Sequence, residues 1–433
     1  MAKQIGIHIT DGTTITPESY RLTINIYSAN GKERDITQLV TSMVIYESIF
    51  QQSLIAEFEI ADAVALFEDL NITGNEKISS IITKQMDKSS PPISIQTDWY
   101  VLDIPLFSRP KPDIQAYKIR CITPLGLVSK FRRISHVVSG TAIEILTSLY
   151  DQLGSNLEKY DEVSVGVMKY IPNRLTYSDA ISTILKKTVS PNGAPFFAYQ
   201  TLEDSSYRLR SYNDMILSDE LDTYSHGYFY KAEAQSEESF EEKRLRILEV
   251  SSRLGFSPYA SMKNGSYITR THCLDWSTKE YKTIDYNAFD TNPQMIDGKN
   301  SELVWNSNFD ISGVGPNNLK EVHNIYISNN SYAMLETDQY NIHQYSPYTA
   351  ATKDSIYSNL EQMEHTIRLH GDVRLSSGTI INLNFPQIGM VEDNGKSDEF
   401  ISGRYLIVST THTFNNSGYF VQLKVRRDSV HKR

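Results

Sequence analysis

Metal ligation is the first chemistry to test in this chain of 433 residues, because it holds ten histidines and two cysteines. His365 and His370 lie in HTIRLHGDV, which alternates apolar and polar residues as a strand does. Their opposite parity sends the two rings to opposite faces. His272 and Cys273 are adjacent and meet the same difficulty, while His412 falls on a later strand that could neighbour the first. Neither Cys-x-x-Cys nor His-Glu-x-x-His occurs, so these histidines read as structural. Cys121 and Cys273, far apart in sequence, read as small buried residues and not as a disulfide framework.

Glu57 and Glu59 share one face of QQSLIAEFEIAD. Hydrolysis of a sugar polymer needs two carboxylates facing each other across the substrate, and two neighbours on one strand are a solvated face instead. There is no Gly-x-Ser-x-Gly elbow and no phosphate loop. ISGVGPNN, with Gly313 and Gly315, is rich in glycine but lacks the strand-to-helix context of a nucleotide cradle. RRISH (132–136) and KVRRD (424–428) are short basic runs that read as solvated strand ends. The formal charge of −10, from 42 basic and 52 acidic side chains, argues against a firm grip on nucleic-acid phosphates. It leaves room for a surface that DNA slides past. The residues thus point to no catalytic, cofactor-binding or metal site, to no cofactor, and to a protein that is not an enzyme.

The elements explain what the chain is built for. No stretch approaches eighteen uninterrupted apolar residues, so no transmembrane helix is expected. MAKQIGIHITDGTTITPESY lacks the apolar core of a signal peptide, which implies a protein made and kept in a cytoplasm. Tyr405 to Phe414, the turn Asn415 to Gly418, and the alternation of Tyr419, Val421, Leu423 and Val425 form a hairpin. Leu54, Ala56, Phe58 and Ile60 share one face of an early strand, as Ile367, Leu369 and Val373 do in HTIRLHGDV. Both strands run to an aspartate (Asp62, Asp372), then a leucine, then a glycine (Gly74, Gly378) that opens another strand. DWYVLDIPLF and AYKIRCIT then stand where the later copy has GRYLIVSTTHTF and GYFVQLKVRRD. The strand order predicts a duplication.

Between the copies the apolar period changes to that of helices. Ala142, Ile145, Leu146, Leu149 and Leu153 form a stripe, with a Thr141–Glu144 capping box and Gly154 as a stop. YSDAISTILKK is a second helix capped by Thr176, and FFAYQTL with YRLRSYN a small hairpin. SEESFEEKRLRILEV (236–250) reads as an amphipathic helix, and DSIYSNLEQMEHTI as a last helix aligning Ile356, Leu360 and Met363. NGSYITRTHCLDWSTKEYKTIDY returns to strands, and 290–355 reads as loops with short strands. The predicted class is mainly β with an α+β insertion: two similar antiparallel β-barrel-like domains plus a smaller helical/α+β domain.

In this order the pieces resemble the tail-hub family of contractile-tailed phages, the central baseplate hub, whose relatives form the N-terminal hub part of type VI secretion spike proteins. The resemblance rests on Gly371, Asp372, Leu375, Gly378 and Pro386, then Gly403, Tyr405, Leu406, His412, Tyr419, Arg427 and Asp428. In the helical middle it rests on Pro172, Ala180, Ile181 and Leu185. It implies an N-terminal arm (1–20), a first tube-type β-barrel domain (21–134) and a helical/α+β middle domain (135–242). A second barrel would begin in 243–290, be interrupted by a loop-rich insertion and connecting helix (291–364), and be completed by returning strands (365–433). It further implies a homotrimer whose six barrels face a hexameric tail tube protein, with a trimeric central spike protein below, other baseplate proteins around it and DNA passing only transiently. No membrane insertion is implied. The place would be the tail baseplate of a virion, with host cytoplasm during assembly; a phage-like injection or type VI secretion machine would use the same scaffold, and a cell-wall-degrading tail protein is the enzymatic alternative. The chain stops soon after Val430, which would leave the spike to a separate protein.

Overall fold

Alternating β-branched, aromatic and polar residues build most of the molecule. The computed structural model describes residues 16–86, 90–160, 163–226, 239–275, 279–291, 294–298, 301–305, 324–329, 347–387 and 397–431. A first array contains β1 (Arg21–Tyr27), β2 (Val40–Ser48), β3 (Ile55–Asp62), β4 (Lys77–Lys84), β5 (Ile93–Lys111) and β6 (Ile114–Ile122). Helices α1 (Ala142–Leu153) and α2 (Tyr177–Lys187), the hairpin β7 (Phe196–Gln200) and β8 (Tyr207–Ser211), and helix α3 (Tyr212–Leu217) follow. A second array contains β9 (Glu220–His226), β10 (Glu249–Leu254), β11 (Met363–His370), β12 (Ile380–Asn384), β13 (Gly403–Asn415) and β14 (Gly418–Arg427), with helix α4 (Pro347–Leu360) leading into β11.

The strand order of the first array is β1-β4-β5-β6-β3-β2, and that of the second is β9-β12-β13-β14-β11-β10. Each strand has its counterpart eight places later, in the same chain order. All neighbours are antiparallel except β9 with β12, which run parallel where β1 and β4 do not. The likeness reaches single residues. The β5–β6 ladder shifts register between Val101 and Asp103, and the β13–β14 ladder between Ile407 and Ser409, so both carry a bulge at the same place. Asp62 Oδ1 accepts from the Val64 amide at 2.9 Å, and Asp372 Oδ1 from the Arg374 amide at 2.9 Å. Both aspartates close the same two-residue turn after the same strand. The two arrays are one continuous sheet, because β13 also pairs with β2.

Inward-facing side chains of both arrays form one apolar core that includes Ile24, Ile45, Phe58, Trp99, Ile367, Tyr405, Phe414 and Val421. The helical part has its own core, where Ala142, Ile145, Leu146, Leu149 and Leu153 of α1 meet Ala180, Ile181 and Ile184 of α2. Thr141 caps α1 reciprocally with Glu144, and Gly154 ends it at φ 87°, as expected. Thr176 caps α2 by accepting from the Asp179 amide. A third cluster joins Phe197, Tyr199, Tyr212 and Met215 to Ile380, Leu406 and Val408 of the second array and Ile49 of the first.

Several expectations are corrected. Of 243–290, residues 246–254 join the large sheet, whereas Ile268–Asp275 pairs with Glu280–Asn287 on one side and Asn324–Asn329 on the other in a separate sheet. β9, from the segment expected to be middle domain, joins the large sheet. The helix expected over 236–250 is confined, among the described residues, to Phe240–Arg244; the chain then turns to strand because β10 finds β11 to pair with. Helix α4 ends at Leu360, and Met363 opens β11 instead of closing the helix. KVRRD is no solvated strand end: Arg427 is fully buried and Asp428 nearly so, whereas Arg132, Arg133 and His136 of RRISH are exposed.

Candidate functional site: the joint between the two arrays

β2 has the residues of an inward-facing strand at Met43 and Ile45, and the same parity brings Glu47 inside. One edge of β2 pairs with β3; the other pairs with β13 from Ser409↔Ser48 to Asn415↔Ser42. The same edge of β13 pairs with β12 only over Gly403 to Leu406. At the bulge between these two stretches the carbonyl of Val408 accepts from the Ile49 amide at 3.1 Å and Ser48 Oγ at 3.0 Å. Ser409 Oγ donates to the Glu47 carbonyl at 3.0 Å. A bulge sharpens the local twist, so one edge of β13 serves two strands in succession.

Glu47 fastens three parts of the molecule. Its carboxylate accepts from the Leu202 amide at 2.9 Å, in the turn after β7, and from the Ser377 amide just before β12. Burial pushes its pKa up to about 8, against the two amides that favour the ionised form. Gln200 adds a second tie, its Oε1 accepting from the Leu54 amide at 3.2 Å and from Thr123 Oγ1 at 2.8 Å. Arg210 Nη1 donates to the Gly378 carbonyl at 3.2 Å. Asp428 accepts from Tyr212 Oη at 2.7 Å and from the Ile296 amide at 3.2 Å, and burial raises its pKa. Arg427 donates to the Ser402 carbonyl at 2.8 Å and to Asp297 at 2.7 Å. Residues 200–212 are therefore tied to both arrays by buried polar contacts.

The histidines weighed as ligands have other work. His365 bridges Ser252 Oγ at 2.7 Å and Tyr405 Oη at 3.0 Å, and burial lowers its pKa to about 4. His412 meets Tyr419 Oη at 2.8 Å, and burial lowers its pKa to about 3. Both rings are neutral near pH 7, which suits core positions. His370 lies 3.2 Å from Glu18; burial lowers its pKa, partly opposed by that carboxylate. His272 contacts Tyr281 Oη and, at 2.9 Å, Asn324 Oδ1. Cys121 is buried and its thiol pKa is raised by burial, while Cys273 is half-buried. No group of three His, Cys, Asp or Glu among the described residues could hold a metal ion.

Glu57 faces Lys118 at 3.3 Å and Arg120 at 3.2 Å on β6; burial pushes its pKa up, but these cations bring it below the ordinary value overall. Glu59 meets Lys118 at 3.0 Å. These are cross-strand ion pairs on an outer face. Gly313 and Gly315 lie outside the described residues. Among the described residues no helix is long and apolar enough to cross a membrane.

The residues that carried the family resemblance turn out to be fold-determining. A Cβ on Gly371 would lie 2.0 Å from Cδ1 of Tyr419, and one on Gly378, at φ 83°, 2.1 Å from Tyr199 Oη. Asp372 receives Arg374 at 2.7 Å and Arg244 at 3.1 Å. Leu375, Tyr405, Leu406, Tyr419, Ala180 and Ile181 are buried, and Leu185 packs against the helical core. Glu47 escaped sequence reasoning, although a charged residue at the inward parity of VTSMVIYES was a signal for it.

No protein-family model matches this chain, and no curated protein matches it. Among solved structures, the tail protein from Neisseria meningitidis MC58 aligns with a TM-score of 0.54 at 10% identity, over 94% of this chain and 97% of that one. The 43 kDa tail protein of prophage MuSo2 from Shewanella oneidensis aligns with a TM-score of 0.54 at 9% identity, over 94% and 98%. Over nearly its whole length, the chain has the fold of these tail proteins.

Proposed function

We propose that this chain, which has the fold of prophage tail proteins, is a non-enzymatic structural hub of a phage tail baseplate. The observation that carries the proposal is the pair of matched strand arrays joined edge to edge by the β13–β2 ladder. Three chains supply six such arrays. Six equivalent arrays meet a hexameric tail tube contact for contact, while the threefold axis of the same ring meets a trimeric spike. The rigid tie at Glu47, Gln200 and Asp428 suits a part that transmits force without changing shape. The ion-paired Glu57 argues against an acid/base pair of a cell-wall hydrolase, since a neighbouring guanidinium and ammonium keep it ionised. A formal charge of −10 per chain, placed partly on the channel wall, would keep DNA from adhering as it passes.

The test is native mass measurement of the chain mixed with a tail tube protein and a spike protein from the same genome. The proposal expects one assembly containing three copies of this chain. An assembly with two copies, or one that excludes both tube and spike proteins, overturns it. A peptidoglycan digestion assay on the same sample separates the hydrolase reading, which requires cleavage products.

A further inference from the structure

The internal joint leaves two edges of the same kind unused. Beyond Tyr100, where β4 ends its pairing, the long strand β5 has β6 on one side and, among the described residues, no strand on the other. β10 pairs with β11 alone among the described residues, and Glu249 and Ser251 to Leu254 are exposed. β5 is the counterpart of β13 and β10 that of β2, the two strands that form the joint.

The correspondence can be counted along the ladders from the matched bulges. Val101, Cys121, Ala56 and Ile45 follow one another across the first array as Ile407, Val425, His365 and Ser252 do across the second. Leu102 is therefore the counterpart of Val408, Phe107 of His412, and Leu254 of Glu47. Val408, His412 and Glu47, all on the two strands of the joint, are 1%, 0% and 1% exposed. Leu102, Phe107 and Leu254 are 36%, 48% and 46% exposed, and Leu106 beside them 56%. Open strand edges carrying exposed large apolar residues invite another strand.

We propose that β5 from Leu102 onward pairs antiparallel with β10 of a second copy of this chain, repeating between copies the joint that β13 and β2 make within one. Asp103 then stands opposite Gly255 of the second copy, as Ser409 stands opposite Ser48. A second register shift lies between Asp103 and Leu106, around Pro105, where a missing amide costs no ladder bond. Past it, Ser108 stands opposite Ser251, the counterparts of Thr413 and Val44. The contact is head-to-tail, so it closes into a ring when its rotation divides a full turn. The strand pairing follows from the chain itself; the number of copies, three, rests on the hub reading.

The test is oxidative cross-linking of the purified chain in a Cys273→Ser background. Ser108→Cys with Ser251→Cys probes the joint between copies, and Val44→Cys with Thr413→Cys probes its internal counterpart. Directly opposed residues of antiparallel strands lie within disulfide reach. The internal pair is expected to give a cross-linked monomer, and the other pair a covalent species of three chain masses, reversed by reductant. A double variant of Ser108→Cys with Arg253→Cys, off register, is expected to link much less. If native mass measurement finds three chains and the internal pair links but Ser108 and Ser251 do not, the strand joint is overturned while the hub reading stands. If the chain stays monomeric up to its solubility limit, the joint is overturned as the closing contact, and the hub reading is decided by co-assembly with tube and spike.

Discussion

Replacing Glu47 by glutamine tests whether a buried carboxylate holds the three parts of the molecule together. In the folded protein its pKa is pushed from 4.5 up to about 8 by burial. A carboxylate raised in this way binds its proton more tightly when folded. Its favourable contribution is therefore complete below the unfolded value and is lost as pH rises through the folded one. The slope is about 1.4 kcal/mol per pH unit inside that window, so from about pH 5.5 to about pH 7.5 the wild type loses roughly 2.7 kcal/mol through this group. Glutamine does not titrate, so that loss disappears. It also turns an NH2 toward one of the two amide donors, Leu202 or Ser377, which costs about 1–3 kcal/mol at every pH. The variant should be the less stable protein near pH 5.5 and should draw level with, or pass, the wild type near pH 7.5. Urea unfolding of both proteins at the two pH values measures this as a difference, in which His365 and His412 cancel. Parallel stability curves would refute the reasoning, for they would mean that water or a cation keeps Glu47 ionised.

Gly371→Ala should destabilise by about 3 kcal/mol, since its Cβ meets the Tyr419 ring, itself stacked on Phe414 at 4.2 Å; thermal unfolding measures it, and Tyr419→Ala in the same chain should recover part of the loss. Asp428→Ala strands Tyr212 Oη and the Ile296 amide and should cost about 3 kcal/mol in urea unfolding, against a smaller effect for Tyr212→Phe. His412, lowered to about 3 by burial, contributes stability that is present above its unfolded pKa of 6.5 and lost as pH falls toward 3. His412→Gln should flatten the acid side of the stability profile, and an unchanged profile would exclude a buried neutral ring there.

The duplication was legible because period-two alternation, the Asp-to-Gly spacing and the strand order all survive in single residues: Asp62 and Asp372, Gly74 and Gly378. Caps were equally legible, since Thr141, Glu144 and Gly154 act within one turn of chain. What failed was context. Ile268 to Asn287 alternates as any strand does, and nothing local says that it pairs with itself rather than with the large sheet. Arg427 looks solvated in sequence, and only the folded chain supplies the Ser402 carbonyl and Asp297 that let it be buried. Glu47 is the same case, satisfied by amides 155 and 330 residues away.

The two halves of the duplication have diverged most where their tasks differ. The internal joint forms between strands already tethered, at a high effective concentration, so its free-energy demand is low and buried polar groups such as Glu47 and His412 can occupy it. Both groups are satisfied outside the ladder itself, Glu47 by the Leu202 amide and His412 by Tyr419 Oη. A joint between copies must overcome the translational and rotational freedom lost on association. In the proposed joint the counterpart positions are Leu254 and Phe107, which would gain from burial. Leu and Phe at the places matched to Glu47 and His412 suit the demand of the proposed joint, and they are the exposed members of each matched pair in the single chain.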